Sequence, residues 1–159
     1  MPYYFAIVTE QDRLVHDLYY PPPTTTTTTT TSISPTQRRA TDRAPVPPAL
    51  HTFQFVAHAA LDVIEANQWS TRDMHLRNVD RYGNLAVSAW LTPDASTRLL
   101  LVHSATDEAT RAAKAFLQSA YELYVLLVLC NPFHLATEPV QSARFHEQLL
   151  LLAKKHLSG

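Results

Sequence analysis

The side chains that could perform chemistry in this chain are eight histidines, one cysteine and a few serines. Two histidines that bind one metal ion from a helix are usually four residues apart. No two histidines have that spacing, and His51 and His58, which are seven residues apart, have no cysteine nearby. His58 and Asp62 are four residues apart and could hydrogen-bond, which is the orienting half of a catalytic triad. We therefore expect no metal site, and a triad would need a nucleophile.

A nucleophile that would complete such a triad is not evident from the sequence. Ser88 and Ser104 lie in strand-like segments without the GxSxG pattern of a nucleophile elbow. Cys130 ends the most apolar run of the chain, where a thiol is usually inert and hydrophobic. The chain has only two glycines, too few for a glycine-rich loop that binds phosphate. We predict no catalysis and no cofactor, and a small hydrolase using His58 and Asp62 is the weakest alternative.

Composition limits the class of protein. A chain of 159 residues with 46% hydrophobic residues is long enough to bury one core. The net charge of −1 gives no basic surface for nucleic acid. One cysteine cannot form an internal disulfide, no charged and then apolar leader opens the chain, and no apolar run approaches the roughly 20 residues that span a bilayer. We expect a soluble cytoplasmic protein with no nucleic-acid partner and no membrane-spanning segment.

Five segments have the alternation, or the β-branched and aromatic content, of strands. They are 3–8, 14–20, 76–82, 85–91 and 97–103. Gly83-Asn84 predicts a hairpin turn between the third and the fourth strand. The first two strands also predict a hairpin, although the turn between them has no Asn-Gly type of dipeptide.

Three further segments have the pattern of helices. The densest is 53–69, whose apolar residues fall on one helical face. Those residues are Phe53, Val56, Ala57, Ala60 and Ile64. Thr106 predicts the N-cap of a second helix, which is apolar nearly all round in its second half and therefore either buried on both sides or pressed on a partner. A third helix is predicted to begin near Gln141 or Ser142.

The polar face of the first predicted helix contains the candidate site. Phe55 lies beside Asp62 on the face that should contact water, and His58 is close to both. In the ordinary interpretation Asp62 is a solvated carboxylate that pairs weakly with His58. In the functional interpretation a partner docks here, with Phe55 as an apolar anchor next to the charge of Asp62. The residues alone leave both interpretations open.

Residues 21–48 differ in composition from the rest of the chain. They contain seven of the eleven prolines and the eight consecutive threonines of 24–31. Few of these residues could join a core, so we predict a disordered Thr/Pro-rich connector between the first hairpin and the first helix. A loop regulated by phosphorylation of Ser34 is the alternative.

Four short motifs in this order resemble the sedlin family, the small subunit of the TRAPP (transport protein particle) vesicle-tethering complex. They are HAALD at 58–62, VSA at 87–89, NPF at 131–133 and KKHL at 154–157. The long connector and His16, where the family more often has an aromatic residue, depart from the pattern. The resemblance implies a single α+β domain over 1–159 with the longin or SNARE-like fold. That fold is a three-layer α-β-α sandwich, a five-stranded antiparallel sheet with one helix on one face and two on the other.

The resemblance also implies a function. Sedlin-like proteins are non-catalytic adaptor subunits of TRAPP in ER-to-Golgi vesicle transport and autophagy. Asp62 matches the motif aspartate on the surface that recruits the larger complex-specific subunits, so Asp62, His58 and Phe55 are the expected partner-binding residues. Other expected partners are a Bet3-like core subunit and, indirectly, a Rab GTPase, with peripheral association at ER, ER-Golgi intermediate and Golgi membranes through the complex only. Another longin-type trafficking protein, a SNARE-like protein or the small chain of a coat adaptor, is the alternative.

Overall fold

The computed structural model describes residues 2–20, 49–135 and 137–158, and the predicted connector at 21–48 lies outside them. The strands are β1 (Tyr3–Thr9), β2 (Leu14–Tyr20), β3 (His75–Tyr82), β4 (Leu85–Leu91) and β5 (Thr97–Ser104). The helices are α1 (Leu50–Asn67), α2 (Asp107–Tyr124) and α3 (Ala143–Leu157), and a π-helical segment (Val125–Leu129) continues α2. The predicted order of elements is confirmed.

The five strands form one antiparallel sheet in the order β2-β1-β5-β4-β3. The last strand, β5, lies between β1 and β4 and so joins the two hairpins into one sheet. Gly83 has a φ of +59° in the β3–β4 turn, a conformation that favours glycine. In the β1–β2 turn Asp12 has a φ of +58°, which a short polar side chain tolerates and which explains how this turn forms without glycine. The five-stranded antiparallel sheet and the three helices confirm the α+β class.

The hydrophobic side chains of β1 and β5 alternate between two clusters. One cluster contains Tyr4, Ala6, Val8, Leu100 and Val102 together with the buried residues of α1. The other contains Phe5, Ile7, Leu99 and Leu101 together with the buried residues of α2 and α3. Because successive side chains of a strand point to opposite sides of the sheet, these two central strands can contact all three helices.

Two of the helices begin where the sequence predicted, at the cap Thr106 and near Ser142. The Thr106 side chain accepts a hydrogen bond from the Ala109 amide, and the Ser142 side chain accepts one from the Phe145 amide. The first helix begins at Leu50, three residues before the predicted start, and its N-cap residue Ala49 makes no side-chain cap bond.

By length and composition, the helix Asp107–Leu129 could span a membrane, and it is the one such helix in the described residues. The helix is also a core element, because Phe116, Leu117 and Tyr124 are fully buried in the cluster shared with α3. The core helix of a soluble protein meets the same criterion. The length and composition of this helix therefore do not by themselves contradict the prediction that no segment spans a membrane.

Cys130 lies outside the core, although it ends the most apolar run of the chain. Its thiol is exposed, because the chain leaves the core after Val128, the last buried residue of the π-helical segment. The apolar composition of 125–130 predicted burial, but Leu126 and Leu129 on the same segment are also exposed. Of the two alternatives for this part of the helix, burial on both sides is therefore wrong, and contact with a partner stays a prediction.

Candidate functional site

The outward face of α1 presents the three residues that the sequence singled out. Phe55 and Asp62 are separated by seven residues, so they point within about 20° of one another on the helix and lie about 10.5 Å apart along its axis. Phe55, His58 and Asp62 are all exposed, and we call them the α1 stripe. Leu61, next in the chain to Asp62, is buried on the inner face of the helix.

Phe55 contacts a second exposed aromatic residue. Its ring lies 6.5 Å from that of Tyr82, centroid to centroid, in an edge-to-face arrangement. Tyr82 is the last residue of β3 and is 57% exposed, while Phe55 is 62% exposed. No local pattern in the sequence predicted this pair, because α1 contributes one ring and the distant end of β3 contributes the other. The pair extends the α1 stripe into an apolar surface of two rings.

The predicted pairing of His58 with Asp62 is not observed. Within the described residues no hydrogen bond or ion pair joins these two side chains, and Asp62 has no other partner there. His58 instead lies at the edge of a cavity of about 180 Å³. That cavity is lined mainly by apolar side chains of α1, β1 and β5, including Ala57 and Leu100. Within the part of the chain that the structure describes, the Asp62 carboxylate is exposed and makes no hydrogen bond or ion pair.

Among the described residues, a serine and a histidine form a hydrogen-bonded pair in the core of the protein. The Ser88 Oγ and His103 Nε2 atoms are 2.8 Å apart, and both residues are fully buried. His103 Nδ1 lies 2.7 Å from the Ser104 carbonyl oxygen, which can only accept, so Nδ1 donates. Nε2 consequently accepts the Ser88 hydroxyl proton. A serine that already donates to a neutral imidazole resembles a nucleophile and base, but no substrate can reach a fully buried pair.

A second exposed surface follows α2. Leu126, Leu129, Phe133 and Leu135 are all exposed large hydrophobic residues, and Phe133 is 92% exposed. Single exposed hydrophobic residues are common, but four within ten positions of the chain make this segment a candidate for contact with a partner. We call these four residues the 126–135 surface. The sequence marked this region only through its apolar composition and its NPF motif.

Comparisons with known proteins agree on one family. The family model described as Sedlin matches residues 23–155. The chain is 26% identical over 155 residues to a probable trafficking protein particle complex subunit 2 of Drosophila melanogaster, covering 98% of this chain and 96% of the relative. It is 27% identical over 156 residues to the protein of that name in Caenorhabditis elegans, covering 98% and 96%. It is 25% identical over 193 aligned residues to trafficking protein particle complex subunit 20 of Saccharomyces cerevisiae, covering 99% of each.

Proposed function

The chain belongs to the sedlin family, and we propose that it is a non-catalytic adaptor subunit of a TRAPP vesicle-tethering complex. The names of three relatives that it matches over nearly their full length support this proposal. The role would be in ER-to-Golgi transport and autophagy, at ER, ER-Golgi intermediate and Golgi membranes. Association with those membranes, and with a Rab GTPase, would be indirect, through the other subunits of the complex.

We also propose that residues 1–159 form a single longin-like domain. The alternation of β1 and β5 between two hydrophobic clusters supports a three-layer arrangement, with α1 on one face of the sheet and α2 and α3 on the other. In that arrangement the α1 stripe and the 126–135 surface belong to different layers of the domain.

The observation that carries the adaptor proposal is the α1 stripe. Asp62 is an exposed carboxylate without a partner in the described residues, and Phe55 with Tyr82 supplies apolar area close to it. Aromatic anchors beside a charge are typical of the central residues of protein interfaces. We propose that the larger complex-specific subunits bind here, with Phe55 as the anchor, Asp62 as the charged contact and His58 at the edge.

An adaptor needs a second surface, and we propose that the 126–135 surface binds the Bet3-like core subunit. Its support is the exposure of Leu126 and Phe133, which have no covering residue within the described residues. Two surfaces on separate layers allow one small domain to hold a core subunit and a larger subunit at the same time.

The experiment is a purification of tagged protein from cells, with mass spectrometry of the recovered subunits. Asp62→Tyr should fold normally, because a surface substitution usually changes stability by less than about 0.5 kcal/mol. It should lose the larger subunits while keeping the Bet3-like core, because a ring replaces a central charge and such positions commonly cost about 2 kcal/mol, or roughly 30-fold in affinity. Asp62→Asn separates the loss of charge from the added bulk.

Two further variants make the result specific. Glu147→Tyr places the same ring at an exposed acidic position of α3 and should recover all subunits. Phe133→Asp should show the converse loss, releasing the Bet3-like core. The proposal is wrong if a folded Asp62→Tyr protein recovers the larger subunits at the wild-type level. Circular dichroism of each variant is the folding control.

A further inference from the structure

Two histidines that are far apart in the sequence meet at the edge of the sheet. His16 belongs to the edge strand β2 and His146 to the first turn of α3, 130 residues later. His16 Nε2 and His146 Nδ1 are 3.4 Å apart. The ring planes are inclined by 68° and the ring centroids are 5.4 Å apart. Neither residue belongs to the α1 stripe or the 126–135 surface.

Packing holds the His16 ring in place. The ring contacts the edge of the Phe145 ring at a centroid distance of 5.1 Å, and Phe145 is fully buried between α2, α3 and the sheet. The Val140 amide donates a hydrogen bond of 3.0 Å to the carbonyl oxygen of Val15, which keeps the segment before α3 against β2. His146 is exposed, so solvent and small ions reach the pair. Packing on the core therefore positions the His16 ring, and solvent reaches the His146 ring.

The distance between the two nitrogen atoms is long for a hydrogen bond, whose heavy atoms are usually about 2.7–3.2 Å apart. It matches two ligands of one tetrahedral ion. Nitrogen atoms about 2.05 Å from Zn²⁺ and at the tetrahedral angle are about 3.3–3.4 Å apart. At the 90° angle of a square-planar ion and similar bond lengths they would be about 2.9 Å apart.

We propose that His16 and His146 form a two-histidine site for a divalent transition-metal ion, with Zn²⁺ as the ion that the distance fits best. Within the described residues no group of three or more histidine, cysteine, aspartate or glutamate side chains could hold a metal. Water molecules therefore complete the coordination. A bound ion joins the edge strand to the last helix, so it binds the folded chain and raises its stability.

The charge state of His16 favours this chemistry, because a metal binds the neutral imidazole. Burial lowers the pKa of His16, and the neighbouring His146 lowers it further. Asp17 and the backbone of Val140 act in the opposite direction without reversing the shift. The lowered pKa favours the neutral ring of His16, which is the form that binds a metal ion.

Isothermal titration of ZnCl₂ into the EDTA-treated full chain tests the proposal. The wild type should bind one ion per chain, with a rise in the thermal midpoint. His16→Gln and His146→Gln should each weaken binding about a hundredfold, because a second ligand held in place acts through its high effective concentration. His51→Gln and Cys130→Ser, which remove an exposed imidazole and the exposed thiol, should bind as the wild type does.

His146 is exposed, so His146→Gln preserves the fold and decides the question even if His16→Gln does not fold. The proposal is refuted if His146→Gln binds Zn²⁺ as tightly as the wild type, since the ion would then sit elsewhere. It is also refuted if the wild type binds no Zn²⁺ at millimolar concentration, in which case the pair is only a long hydrogen bond between two rings.

Discussion

Acid should destabilise this protein through His103. The residue is fully buried in β5, and its two ring nitrogens are occupied by the Ser104 carbonyl and the Ser88 hydroxyl. Burial lowers the pKa of His103, and the Ser104 carbonyl opposes this without reversing it. A proton added to Nε2 would place a positive charge in the interior of the protein, because both His103 and Ser88 are fully buried. The native state therefore holds the neutral ring.

The sign and the size of the effect follow from linkage. The pKa of His103 is lower in the folded chain than its ordinary value of 6.5. Below about pH 6.5 the unfolded chain binds more protons than the native chain, so the free energy of unfolding falls as the pH falls. The slope for one group reaches about 1.4 kcal/mol per pH unit. If His103 stays neutral in the native state, the loss between pH 7.5 and 5.5 is about 1.3 kcal/mol.

Urea unfolding of the wild type and of His103→Gln, each at pH 7.5 and 5.5, measures this loss. Glutamine cannot titrate, although its amide can still donate and accept. Burial also lowers the pKa values of His75 and His156, but those residues remain in both proteins, so the difference between the two losses isolates His103. His103→Gln should lose less than the wild type between the two pH values, by up to about 1.3 kcal/mol. Equal losses would refute the assignment of a neutral, buried His103.

Two further predictions concern the π-helical segment that continues α2 and the predicted connector at 21–48. Leu127→Asp should cost about 3 kcal/mol or more or make the protein insoluble, because Leu127 packs against the cluster of α2 and α3 and a carboxylate there loses its water. Leu126→Asp at the neighbouring exposed position should fold normally, and a Leu127→Asp protein with wild-type melting would contradict the packing. Deleting residues 24–44 should leave the thermal midpoint within a few degrees, because shortening the predicted connector about fourfold changes the free energy of loop closure by only about 1 kcal/mol. Cooperative loss of folding would show that the composition was misread.

The sequence predicted the order of the elements because each one repeats a local pattern. Thr106 and Ser142 marked the starts of α2 and α3 since their hydroxyl groups act within three residues. The start of α1 was missed at Leu50 because Ala49 offers no capping side chain. The exposure of Leu126 and Leu129 was missed for a related reason, because composition reports how apolar a segment is and not which of its sides the chain turns toward the core.

The α1 stripe and the histidine pair differ in how far the sequence could predict them. Phe55 and Asp62 could be placed on one outward stripe because seven residues make nearly two helical turns, which is a property of the helix alone. His16 and His146 could not be paired, because their approach depends on α3 returning to the strand at the edge of the sheet. A search for metal ligands by local spacing fails for such a pair even when the bite distance suits a tetrahedral ion. Replacing His16 by phenylalanine should abolish Zn²⁺ binding while an aromatic ring still packs on Phe145, because phenylalanine has no nitrogen to bind the ion.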